Sequence, residues 1–278
     1  MKFLKIIGKL SAVFTGIMIS IVTFIMIIYI SINNYMIVDN LKKTINTKNL
    51  LKIEYDDSTL KDDLIKSFYE IGISENDMND VIESNEFNDL FDDYLDKVMK
   101  YYIENSEFPT FDEEKINKLV DLITSKSDIT SEQKKYINDT LKKEKIEIEK
   151  TLPKREEIID DNDISDIINA YNSISIFYFI GTIVILMFLI FIFTWSLHLP
   201  FLYAGISFSI PSIIIIIISL FKNIIINSFK LEEFISLMLK QAFNQLLISS
   251  LIVLFVGILF VGLYIIVNKI NRRNNGNT

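Results

Sequence analysis

Ten carboxylates between Lys66 and Lys97, with no basic residue among them, are the densest group of side chains in the sequence that could do chemistry. They are Glu70, Glu75, Asp77, Asp80, Glu83, Glu86, Asp89, Asp92, Asp93 and Asp96. Such a run could hold Ca²⁺ or attract a cationic peptide, and a pair of its members could serve as acid and base in glycoside hydrolysis. So many acids always contain some pair at a suitable distance, so the solvated face of one or more helices is the favoured reading. Asp161, Asp163 and Ser165 open the ligand spacing of an EF-hand, but Asp166 stands at the glycine position and Asn172 at that of the closing Glu. Without any cysteine there can be no disulfide, iron–sulfur cluster or thiolate zinc site. The one histidine, His198, lies beside Pro200 between two hydrophobic runs, flanked by Trp195 and Tyr203, which suits a residue at a membrane surface. Walker, Gly-x-Gly-x-x-Gly and Gly-x-Ser-x-Gly patterns are missing. No residue therefore qualifies as catalytic, cofactor-binding or metal-binding, and no cofactor is expected.

The acids belong to one segment. Residues 33–171 carry a net charge of −15, while the remainder of the 278-residue chain sums to +7. Half of the residues are hydrophobic and the mean hydropathy is +0.33, which points to a membrane protein. A pI near 4.9 argues against nucleic acid as a partner, because the polar segment repels phosphate. The abundance of Ile, Asn and Lys is what an AT-rich bacterial genome tends to encode.

Four hydrophobic spans frame the acidic segment. The first, about 10–32, follows Lys2, Lys5 and Lys9 and is too long for the apolar region of a signal peptide. The second covers about 173–196. The third opens at Pro200, carries Pro211 near its middle and ends near 221; the fourth covers about 245–267 before Lys269, Arg272 and Arg273. Basic residues at both ends place both termini in the cytoplasm, which needs an even number of spans and leaves 33–171 extracytoplasmic at the plasma membrane. Between the third and fourth spans, 229–243 reads as an amphipathic helix lying in the outer interface. None of the spans has an ionisable residue at its centre, which disfavours a proton relay or ion-coupled transporter. Gly16, Gly181, Ala204, Gly205, Ser207, Gly257 and Gly262 read as sites of close helix packing.

Within 33–171 the periodicity is helical throughout. Ser58 is placed to cap a helix with Leu60, Leu64, Ile65 and Phe68 on one face, ended by Gly72; Ser74 and Asp77 form a capping pair for a shorter one. Phe87, Leu90, Phe91, Tyr94, Leu95, Val98 and Tyr102 predict a long helix over about 86–104, broken at Phe108-Pro109. Asp112 starts another with Ile116, Leu119, Val120 and Ile123 inward. Thr130 with Gln133 caps a last one through Tyr136, Ile137, Leu141 and Ile148 to Pro153. Residues 158–171 keep the same spacing and should run on into the second span. The expected fold is all-α: a cytoplasmic N-terminus and first span (1–32), an acidic helical extracytoplasmic domain (33–171), and three further spans with a basic tail (172–278).

Ile73-Ser74-Glu75-Asn76-Asp77, the helix from Asn85-Glu86-Phe87 to Tyr94, and Tyr203-Ala204-Gly205-Ile206 at the start of the third span carry a resemblance. On these, the chain resembles uncharacterised four-span membrane proteins of Gram-positive bacteria, which implies no activity. Its topology is also similar to that of FtsX-like permease subunits, which implies a partner ATPase; the short connection at His198 offers such a partner little surface. The expectation is a non-enzymatic multi-pass protein in the lipid bilayer whose outer domain binds a protein, peptide or envelope component. The alternatives are the permease subunit and a carboxylate-dependent envelope hydrolase. The oligomeric state is open.

Overall fold

The computed structural model describes residues 2–55, 58–70, 73–126, 130–154, 157, 174–229, 231 and 233–275. It is helical, with almost no strand. Two compact units are distinguished, one made of Met1–Tyr35, Asn169–Lys230 and Leu239–Thr278, the other of Met36–Ile168 and Leu231–Met238.

Four helices are long and apolar enough to cross a membrane, with apolar stretches at Ile6–Tyr35, Ile176–Thr194, Leu199–Leu220 and Ile235–Asn271; the first three and the fourth from Leu239 onward belong to the first unit. The shortest has 19 residues, which at about 1.5 Å per residue nearly spans a hydrocarbon core of about 30 Å. They lie in α1 (Lys2–Tyr35), α9 (Ile176–Thr194), α10 (Leu199–Leu220) and α12 (Glu233–Asn275). Their inner faces meet around Ile19, Ile27, Ile190, Phe208, Ile215 and Val253. Where the hydrophobic effect gives no drive between helices, small residues and hydroxyls take over. The Ser207 hydroxyl donates to the Gly16 carbonyl at 2.7 Å, and a Cβ built on Gly257 would stand 3.0 Å from the Gly205 carbonyl oxygen. Pro211 sits inside an unbroken α10, and Ser212 beside it is fully buried and donates to the Phe208 carbonyl.

The expected interfacial helix over 229–243 is not a separate element. A short α11 covers Lys222–Ser228, and α12 then runs unbroken from Glu233 to Asn275. The composition changes near Asn244, but nothing between Glu233 and Asn275 stops a helix: there is no proline, and Gly257 and Gly262 lie well inside it. Lys230 and Glu232, and the expected helix over 158–171 with its EF-hand-like start, lie outside the described residues, as does Gly72.

The second unit begins with two single turns, α2 (Val38–Leu41) and α3 (Thr47–Leu50). Strands β1 (Glu54–Tyr55) and β2 (Ser58–Thr59) then pair antiparallel, a small departure from the all-helical expectation. Five helices follow: α4 (Leu60–Glu70), α5 (Glu75–Ile82), α6 (Asn85–Glu104), α7 (Glu113–Lys126) and α8 (Ser131–Thr151). Their ends are set by local chemistry. Ser74 and Ser84 accept from the amides of Asp77 and Phe87, and Thr130 with Gln133 makes a reciprocal capping box. Ser58 does not cap α4. Thr59 and Asp62 exchange backbone-to-side-chain hydrogen bonds there, while Ser58 donates to Asp63 at 3.0 Å. Asn105, in the left-handed region at φ 56°, closes α6 ahead of Pro109.

Candidate functional site

The core of the second unit is built from one stripe of each helix. Met78, Val81 and Ile82 of α5, Phe87, Leu90 and Tyr94 of α6, and Ile116, Leu119, Val120 and Ile123 of α7 are all buried. α8 contributes one buried side chain, Ile137. Leu51, Leu64, Phe68, Phe91 and Leu141 pack on the same core but keep part of their surface open. Between these partly open side chains and the buried floor lies a cleft of about 670 Å³. Its volume falls in the range of small-molecule sites, whereas close-packed interiors hold few voids larger than a water.

α8 forms one wall. Ile137, Thr140, Leu141, Glu144, Lys145 and Ile148 line the cleft, a spacing that keeps one helical face turned inward over three turns. α4 and the turn at α3 add Leu50, Leu51, Leu60 and Leu64 to the lining. Within the lining the Tyr94 ring stacks on Phe111, centroids 3.7 Å apart and planes at 8°, and Phe91 meets Phe111 edge-on. The Tyr94 side chain is 6% exposed, and its buried hydroxyl has no hydrogen-bond partner among the described residues. Burial, the Glu149 carboxylate and the Tyr102 phenol raise its pKa above the ordinary tyrosine value, so it stands as a neutral donor. Among the described residues, Lys145, whose side chain is 16% exposed, pairs with the exposed Glu113 at 3.5 Å. Glu149 of α8 accepts from the Phe111 amide at 2.9 Å, which ties α8 to the segment before α7.

The acidic run of α5 and α6 has a different role. Asp96 pairs with Lys42 at 2.6 Å and Lys100 at 2.9 Å, and Asp93 with Lys97 at 2.8 Å and Lys115 at 3.1 Å. Burial raises both carboxyls, but hydrogen bonds from these lysines, with their charges, outweigh it and hold both below the usual carboxylate range. Asp92 accepts from both the amide and the hydroxyl of Thr47, at 2.7 and 2.6 Å. Asp80 and Glu83 pair with Lys126 and Lys61. A hollow of about 330 Å³ bounded by Lys42, Asn46, Asp89 and Lys115 lies over this network. Among the described residues no three His, Asp or Glu side chains converge as metal ligands. The run, read from the sequence as a solvated face, is in part an adhesive between α6 and the segments before and after it.

His198 stands at the N-terminal boundary of α10, within 3.0 Å of the Ser196 hydroxyl through Nδ1 and beside the Tyr264 ring. Residues missed in the sequence are Thr59, Ser84, Thr47 and the cleft pair Tyr94 and Lys145. A Ser84-x-x-Phe87 start before an apolar stripe was a usable capping signal; an unpartnered hydroxyl has none, because it depends on what the fold fails to bring near. No protein-family model, curated protein or solved structure matches the chain.

Proposed function

We propose that the chain is a multi-pass membrane protein of the plasma membrane whose acidic helical unit faces outward and binds a ligand in the cleft between α4 and α8. The cleft carries the reading: about 670 Å³ of mostly apolar wall over a buried floor is more than a unit of this size leaves open for packing alone. The orientation rests on Lys2, Lys5 and Lys9 before the first span and Lys269, Arg272 and Arg273 after the last. Binding is favoured over catalysis because Asp80, Asp92, Asp93 and Asp96 are engaged by lysines or by Thr47. A ligand drawn from the envelope fits a domain tethered there.

Two measurements on the full-length protein test this. The chain is free of cysteine, so Glu132→Cys, on the exposed side of α8, gives one labelling site. A membrane-impermeant maleimide should label it in intact cells; labelling only after lysis would overturn the orientation. Native mass spectrometry of the protein released from its own membranes should show a bound mass that Leu64→Trp, which pushes an indole into the cleft from its wall, removes. A bare protein with both sequences would refute the binding role.

A further inference from the structure

Resting on that reading, we propose that the ligand is a membrane lipid held by its hydrocarbon tail: the tail fills the cleft and the polar head stays outside it. The lining offers a polar atom little. The Thr47 hydroxyl donates to Asp92 at 2.6 Å, the Ser67 hydroxyl donates to the Asp63 carbonyl at 2.9 Å, and Lys145 pairs with Glu113. The Tyr94 hydroxyl is sealed beneath the surface, where no ligand atom reaches it. Thr140 and the exposed Glu144 are left, and every other lining residue is Leu, Ile, Val, Met or Phe. A ligand that buried amides, hydroxyls or a charge here would give up hydrogen bonds to water and find few in return. A hydrocarbon gives up none. The same reasoning weighs against a peptide: an extended one brings an amide with every residue, and two turns of helix, about 10 Å wide and 11 Å long, fill about 850 Å³, more than the cleft of about 670 Å³ holds. Leu60 and Ile148 both line the cleft and are 45% and 40% exposed, so it opens to the surface between apolar side chains, where a tail can enter while its head remains in water. A chain with four helices able to cross a membrane has such tails around it.

The test uses full-length protein in phosphatidylcholine nanodiscs doped with one of two photoreactive phosphatidylcholines, the first with a diazirine in its acyl chain and the second with it in the head group. Cross-linked peptides are mapped by mass spectrometry. The tail probe should label peptides of α4 and α8, and the head probe should label them at least about five-fold less, the smallest factor that one buried polar group without a partner costs. Leu64→Trp on α4 and Leu141→Trp on α8 each push an indole into the cleft from a different helix. Either should cut the tail label on the second unit several-fold and leave the label on residues 174–275 unchanged, which shows that the variant has inserted and met the probe. Equal labelling of α4 and α8 by both probes overturns the tail-first arrangement. Tail label confined to residues 174–275, tail label on α4 and α8 that neither tryptophan lowers, or a native bound mass that fragments as a peptide overturns the lipid. If the tail label is confined to 174–275 and the wild-type protein still carries a bound mass that Leu64→Trp removes, the cleft remains a site and only its ligand class falls; if it carries none, both readings fall together.

Discussion

Ile137→Ala should detach α8 from the second unit without unfolding the rest. Ile137 is 2% exposed and is the one buried side chain of a 21-residue helix. The substitution removes three carbon groups at about 0.8 kcal/mol each, or about 2.4 kcal/mol from transfer alone, before any cavity contribution. The other ties of α8, the Phe111 amide to Glu149 at 2.9 Å and the partly buried Leu141, lie farther along the helix and do not replace it. The Lys134–Asp121 pair is 2.8 Å long but both side chains are at least half exposed, so it contributes about 1 kcal/mol at most. Local opening governs amide exchange, so α8 amides of the full-length protein should exchange about 50-fold faster in the variant, with α5 to α7 little changed. Tyr136→Ala, at the neighbouring and 58% exposed position, is the control and should leave α8 exchange close to wild type. A uniform rise across α5 to α8 would refute the argument, since α8 would then be part of one cooperative core; an unchanged α8 would show that Ile137 does not anchor it.

Three further outcomes are expected. The folded-state pKa values of Asp93 and Asp96 lie below the unfolded value of about 3.9, so their contribution is present above that pH and is lost as pH falls through the folded values. The second unit should therefore melt at a constant temperature from about pH 7 to 5 and at a falling one below about pH 4; Asp96→Asn should lower the plateau and shrink the acid loss, as followed by circular dichroism. Gly257→Ala should destabilise the membrane bundle by about 1–3 kcal/mol, because the added carbon meets Ser209 Oγ at 2.8 Å and the Gly205 carbonyl at 3.0 Å. Gly262→Ala, whose added carbon meets nothing within 4 Å, should leave the melting temperature in detergent unchanged. Thr130→Ala breaks the capping box and should cost about 1 kcal/mol, seen as faster exchange in the first turn of α8.

What could be read from the sequence was what local bonds decide. Ser74 with Asp77 and Thr130 with Gln133 cap where their spacing placed them, because donor and acceptor are three residues apart. The four long apolar stretches follow from composition and length. What escaped depends on distant partners. Lys61 meets Glu83 across 22 residues and Lys126 meets Asp80 across 46, so a run without a base in sequence is not one in space. The continuity of α12 escaped for another reason: a change from mixed to apolar composition marks a change of solvent, and a helix has no cause to stop there.

The stripe on α8 shows why the cleft itself was hidden. Ile137, Leu141 and Ile148 have the spacing of a core-facing helix, and the same spacing arises whether a neighbour fills the opposite side or leaves space. The distinguishing mark is what stands between them. Thr140, Glu144 and Lys145 share the inward face, and Lys145 is largely buried there. A helix that only closes a core holds its long charged side chains out in water, whereas the Lys145 side chain lies partly buried against the cleft. α7, packed on the same floor, does this: Ile116, Leu119, Val120 and Ile123 are buried, while Glu114 and Lys118 pair with each other outside at 2.8 Å. The contrast between two helices of one unit argues that α8 is the wall of a site and α7 is part of its foundation.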